Sequence, residues 1–309
     1  MRYDISRDAI CYGFFMRLLK RVIVVVLLGV ILFMVRDDIR YVYQLILKYG
    51  DKPSALALSS YKAVIQQKPV AGVKSNLSGL TYSAEDRMLF AVINNPPELV
   101  WLTTEGQLVG RMPLQGIHDP ESIAWSGGNQ FQIGSEKDGA VYKTQVDIQR
   151  GTMQIISMVK LEGYDKAKNK GLEGTAWDAK NERLYAAKER KPIMIKEVEM
   201  SKNGITRALP SAITASVSDL SGLEYHAPTD SLLVLSDESK MILEVRSEWR
   251  VRDRLFLTAE WSGLRDDIPQ PEGIAMDNEN NLYIVSEPNL FYKFSCDIPN
   301  KPQDADFST

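Results

Sequence analysis

Histidine and cysteine are the scarce residues of this chain, two of each among 309, and their scarcity removes whole classes of chemistry. Cys11 and Cys296 lie near opposite ends, so no disulfide framework is expected and the two read as unrelated free thiols. A zinc site made of Cys and His has too few ligands to draw on. No G-x-S-x-G, H-E-x-x-H or phosphate-cradling glycine loop is present. An excess of one charge is missing too. The 37 basic and 40 acidic side chains leave a net charge of −3, with no basic stripe interleaved with aromatics, so nucleic acid is not an expected partner. The remaining composition, 44% hydrophobic and 25% charged, is ordinary for a folded protein. The length admits one large domain or two ordinary ones.

Long apolar runs are nearly absent, with one exception. Between Arg21 and Arg36 stand fourteen consecutive residues without a polar side chain, VIVVVLLGVILFMV. Spanning hydrocarbon takes about 20 apolar residues. Leu18 and Leu19 extend the run, and Lys20, Arg21 and Arg36 can snorkel their charges outward. From Leu18 to Val35 a helix reaches about 27 Å, enough to span with slight bilayer thinning. The run ends in Phe33-Met34-Val35-Arg36-Asp37, which lacks the small residues of a signal-peptidase site, so an uncleaved anchor over residues 18–36 is expected. Arg17, Lys20 and Arg21 crowd its N-terminal side, whereas Asp37 and Asp38 offset Arg36 and Arg40. The positive-inside rule then keeps residues 1–17 in the cytoplasm and exports the rest. Ile39, Val42, Tyr43, Ile46 and Leu47 follow at helical spacing, giving a juxtamembrane stalk over 37–59.

What fills the rest of the chain is repetition. Five similar openings occur: LSGLTY at Leu77, PESIAW at Pro120, LEGTAW at Leu172, LSGLEY at Leu220 and PEGIAM at Pro271. Their spacings of 43, 52, 48 and 51 residues fit a four-stranded propeller blade. A polar turn follows each opening, then short apolar runs such as Met88–Ile93 and Leu232–Leu235, which read as strands. The fifth copy has three strands before a polar tail at 297–309. A spare strand, Lys62–Gln66, stands before the first copy, and pairing it with the last blade would close the ring. The expectation is all-β: a five-bladed β-propeller over residues 60–296 behind an N-terminal transmembrane helix.

With the anchor, the motifs NLSGLTY, DPESIAW, GLEGTAWD, DLSGLEYH and QPEGIAMDNENNLYIVSE resemble the SdiA-regulated family of bacterial envelope proteins over roughly residues 60–296. The last copy is also similar to an NHL repeat. The resemblance implies a five-bladed propeller that binds calcium and is attached to an inner membrane; with the orientation read from the flanking charges, the propeller is expected in the periplasm. It implies no particular activity.

The second residue of each opening, Ser78, Glu121, Glu173, Ser221 or Glu272, is expected to face the central channel. Three carboxylates at equivalent positions then converge near the axis, which is unfavourable unless protons or a cation join them. The ligands on offer are oxygens, so the natural guest is a hard cation, Ca²⁺ before Mg²⁺. Glu173-Gly174-Thr175-Ala176-Trp177 also matches the E-G-x-x-W-like opening of related calcium- and lactone-handling propellers. The competing reading is a structural latch, in which each Glu accepts backbone N–H bonds from the next blade. A second acidic set ends the second strands, Glu136, Glu189, Asp237 and Glu287, with Asn95 in the first blade. These either enlarge a cation site or are solvated turn acids offset by Lys137, Lys188 and Lys240. His118, just before the second opening, is the one candidate base. Trp125 and Trp177 read as inter-blade core, and Trp249 and Trp261 as surface.

Two functional classes follow. One is a calcium-stabilised binding or sensing module for an unknown small molecule or envelope protein. The other is a metal-dependent hydrolase of lactones or phosphate esters. Fold alone does not choose between them, but the chain offers metal ligands and no convincing nucleophile, which favours the first.

Overall fold

The computed structural model describes residues 20–29, 39, 42–43, 46, 56–164, 171–200, 205–246 and 248–296. The chain divides into two compact units, Met1–Gly50 and Asp51–Thr309. In the first, residues 20–29 are helical and their side chains exposed, Val25 by 67%. No helix among the described residues is long and apolar enough to cross a membrane. The remainder of the expected 18–36 span, the 1–17 segment, most of the stalk and the 297–309 tail lie outside the described residues.

The second unit is a five-bladed β-propeller, with twenty strands in five four-stranded sheets among the described residues. The first blade holds β2 (Leu77–Ser83), β3 (Met88–Ile93), β4 (Glu98–Leu102) and β5 (Leu108–Pro113). The second holds β6 (Pro120–Trp125), β7 (Gln130–Ser135), β8 (Ala140–Asp147) and β9 (Thr152–Lys160). The third runs from β10 (Leu172–Asp178) through β11 (Arg183–Lys188) and β12 (Met194–Glu199) to β13 (Ile205–Ala208). The fourth comprises β14 (Gly222–His226), β15 (Ser231–Ser236), β16 (Met241–Arg246) and β17 (Val251–Phe256). The fifth takes β18 (Pro271–Met276), β19 (Leu282–Ser286) and β20 (Leu290–Ser295) from the C-terminal end, and β1 (Lys62–Pro69) from the other.

Burial explains the sequence pattern of these strands. A second strand lies between blades on both faces, so it needs a continuous apolar run. Every residue of β15 is buried, and so are five of the six in β3. Outer strands face water and alternate or turn polar, as β9 does. The first turn of each blade places a residue in the left-handed region: Arg87, Gly128, Glu182, Asp230 and Asn280 have φ between +50° and +63°. Asn, Asp and Gly tolerate that region best.

The expected ring closure is present. β1 pairs antiparallel with β20, from Lys62 opposite Ser295 to Pro69 opposite Leu290. No residue of the strand itself is fully buried, and its flanks hold it. On one side Leu58 and Tyr61 are buried among Leu233, Ile242, Leu255 and Tyr292, and the Tyr61 hydroxyl donates to the Asn280 carbonyl at 2.9 Å. On the other, Val70 and Val73 pack with Leu77 and Phe291. Leu56 and Leu58, placed by sequence in the stalk, therefore belong to the propeller core.

The channel has a waist. The third residues of the openings are Gly79, Ser122, Gly174, Gly222 and Gly273, and the five innermost strands crowd together there. A Cβ on Gly273 would stand 2.7 Å from the carbonyl carbon of Gly79, and one on Gly79 2.8 Å from Cα of Ser122. The void left at this level is about 10 Å³, at the lower limit for one water. The two ends of the channel are separate compartments.

Candidate functional site

The innermost strands all begin at one end of the channel, and there the structure gathers both acidic sets. Glu121, Glu173, Glu272, Glu136, Glu189, Asp237 and Glu287 line a single cavity of about 240 Å³, and all seven are half-buried. The local cause is a bulge. Pro120 pairs with Ser135 and Ser122 with Gly134, leaving Glu121 unpaired between them. Glu173 is skipped in the same way between Leu172 and Gly174, and Glu272 between Pro271 and Gly273. An extra residue in one strand bends it and re-aims its side chain, here onto the channel mouth.

Hydrogen bonding argues against the latch. Among the described residues, none of the three opening glutamates accepts a backbone N–H through its side chain. Glu121 Oε1 accepts from Asn94 Nδ2 at 2.7 Å, and Glu272 Oε1 from Gln270 Nε2 at 2.9 Å. Glu173 has no hydrogen bond or ion pair among the described residues. The residue that does latch the next blade belongs to the second set: Glu136 Oε1 accepts the Gly171 N–H at 2.9 Å.

Electrostatics at this mouth are lopsided. Among the described residues Arg190 is the one cation lining the cavity, and it is already paired with Glu189 at 2.6 Å and with Glu238. Asp237 pairs with Lys240. Burial, partly offset by the Asn94 and Ser78 hydrogen bonds and reinforced by Asp119 and Glu136, pushes Glu121 up to about 8. Burial likewise pushes Glu272 up to about 8, with Asp237, Glu121 and Glu287 adding to it. Glu173 is driven well above the usual carboxylate range by burial and by the charges of Glu121, Glu136, Glu272 and Glu189. Glu136 and Glu287 are raised by burial as well. As it stands the site prefers protons or a cation to bare carboxylates.

Several members were not singled out by the sequence reading. The first-blade equivalent of Glu136 is Asn94 and not Asn95, because β3 ends at Ile93; Asn94 lines the cavity while Asn95 is exposed. Asp119, Glu121 and Glu136 each bring a carboxylate oxygen within 4.8 Å of the others. Asp219 is buried at the same mouth, accepting from Ser236 Oγ and, at 3.0 Å, from the Glu238 N–H. Asp119, Asp219 and Gln270 each stand immediately before an opening, a position that could have flagged them. His118 is exposed, lies 3.4 Å from Asp138, and does not line the cavity. Trp125 and Trp177 are half-buried and line a cavity at the far end of the channel, not solely an inter-blade core. Trp249 and Trp261 are half-buried also, packed edge-on against Tyr185 and Phe256.

Fold and site together define a five-bladed propeller with one carboxylate-lined mouth. The chain belongs to the SdiA-regulated family, whose model matches residues 53–295. Among solved structures, a luciferin-regenerating enzyme superposes with a TM-score of 0.50 at 11% identity, covering 75% of this chain and 95% of that one. A streptogramin B lyase gives 0.47 at 9% identity over 77% and 99% of the two chains. A chain of a nidogen/laminin complex gives 0.47 at 14% identity over 69% and 73%. At these identities the likeness concerns the fold alone.

Proposed function

We propose that the chain is a membrane-anchored propeller that binds a divalent cation, calcium before magnesium, at its acidic mouth. In this reading it acts as a binding or sensing module for a small molecule or envelope protein, attached to the inner membrane with the propeller on the periplasmic side. The observation that carries the reading is Glu173, a carboxylate with no partner among the described residues that faces four others. A divalent ion would relieve that repulsion. The ligands available are all oxygens, which suits a hard cation. Glu121, Glu173 and Glu272 would hold it, with Asp119 and Glu136 close enough to Glu121 to share it. The anchor is supported by the apolar run from Val22 to Val35, part of which is helical. A binding module is preferred to a hydrolase of lactones or phosphate esters because His118, the candidate base, lies outside the acidic cavity.

Calorimetric titration of Ca²⁺ into chelator-treated, full-length protein tests the reading. Saturable binding at a single site is expected, with Mg²⁺ weaker. No binding at millimolar Ca²⁺ ends it.

A further inference from the structure

The other end of the channel carries a second cavity of about 450 Å³, which the acidic mouth leaves unused. Its rim comes from the sixth residue of every opening: Tyr82, Trp125, Trp177, Tyr225 and Met276 all line it. The strands that start at the acidic mouth end here, so one repeat supplies carboxylates to one side of the waist and rings to the other. Within this ring stands Glu224, the fifth residue of the fourth opening, at a level where the others carry Thr81, Ala124, Ala176 and Ala275. Nothing in the repeat calls for a carboxylate there.

Three polar side chains that line the cavity with Glu224 are already engaged. Asp277 accepts from the Tyr283 hydroxyl at 2.7 Å and from Asn281 Nδ2 at 2.8 Å. His226 bonds Thr229 and Asn280 through its two ring nitrogens. Tyr225 donates to Asp230 at 2.7 Å. Glu224 alone of these has no hydrogen bond or ion pair among the described residues, and no Lys or Arg lines the cavity. Desolvation raises its carboxyl well above the usual range, with no other group contributing. A desolvated carboxylate without a partner is costly, and half-buried Glu224 lines the cavity, where a ligand can reach it.

We propose that this aromatic mouth binds a small organic cation of the alkylammonium class, held by Glu224 and the ring of aromatic side chains. The chemistry of the walls selects the class. An anion would meet Glu224 head on, and a neutral apolar ligand would leave it unpaired. A metal ion would find Glu224, an Asp277 already taken up by Tyr283 and Asn281, and rings, where it needs several free oxygens. An alkylammonium group suits both features, since its charge pairs with the carboxylate and its apolar surface and charge favour indole and phenol faces. The volume is in the range of small-ligand sites.

Choline serves as probe, with 3,3-dimethylbutan-1-ol as its uncharged isostere, titrated calorimetrically into the full-length protein at saturating Ca²⁺. Saturable choline binding is expected, with the alcohol at least tenfold weaker. Glu224→Gln and Trp177→Leu should each weaken choline at least tenfold, while Val64→Ala on the exposed face of β1 leaves it unchanged. Absence of saturable choline binding by the unsubstituted protein overturns the proposal, whatever the variants do. So does equal binding of the alcohol, or undiminished choline binding in Glu224→Gln, which would put the cation elsewhere.

Discussion

Replacing Glu173 by Gln separates a cation site from a structural carboxylate by the sign of two effects. Without metal, Glu173 faces Glu121, Glu136, Glu272 and Glu189 with no compensating partner, so the neutral amide removes repulsion and costs no hydrogen bond seen among the described residues. The metal-free variant should therefore melt at or above the temperature of the parent. With metal the order reverses. A ligand that binds only the folded state adds RT ln(1 + [L]/Kd), about 2.7 kcal/mol at a hundredfold excess over Kd. For a domain of this size each kcal/mol moves Tm by about 2–4 °C, so calcium should raise the parent by roughly 5–11 °C and the variant by much less. Differential scanning calorimetry of both proteins, with Ca²⁺ and with chelator, gives all four numbers. A structural carboxylate predicts a variant weaker by ~1–3 kcal/mol in both conditions. That outcome, or a parent indifferent to calcium, refutes the argument.

Three further outcomes follow from the geometry. In chelator, Tm should fall as pH rises from about 4.5 to about 8, because folded Glu121 and Glu272 still hold protons that the unfolded chain has released; saturating calcium should flatten that slope, and a Tm constant across this window without metal contradicts the shifts. Tyr61→Ala should cost about 3–5 kcal/mol by emptying a buried aromatic position, while Val64→Ala on the exposed face of the adjoining β1 should cost less than about 0.5 kcal/mol; equal losses in chemical denaturation would mean that the flanks of β1 do not close the ring. A reporter active only in the periplasm, fused after Thr309, should be active, and activity of a cytoplasm-only reporter there reverses the orientation.

The blade count and the strand that closes the ring were legible because a repeat of near-constant period multiplies a weak local signal. LSGLTY alone says little; five such openings, with a spare strand at one end and a missing one at the other, leave little freedom. Convergence of both acidic sets on one mouth was legible for the same reason, since equivalent residues in equivalent blades must share a level of the channel. What lay beyond the sequence was local backbone geometry. The bulges that eject Glu121, Glu173 and Glu272 from the strand ladder have no residue signature in these openings. Asn95 was preferred to Asn94 because counterpart strands such as Leu232–Leu235 were ended one residue early, where β15 runs to Ser236, and in a strand one residue changes the face. Trp125 and Trp177 read as core because an aromatic ending an apolar strand looks the same whether a neighbouring blade or a cavity lies beside it. Glu224 went unnoticed in LSGLEY, since a lone glutamate in a strand usually means a solvated face.

The glycine waist makes this propeller a partition and not a conduit. Four residues separate the second and sixth positions of an opening, roughly 13 Å along a strand, and nothing larger than about one water fits between them. Substitutions that far apart with no shared contacts generally add, so the chemistry of one mouth can drift while the other stays fixed. Within a single family, relatives could thus keep the carboxylates and exchange the rings, or the reverse, without the barrel between them having to change.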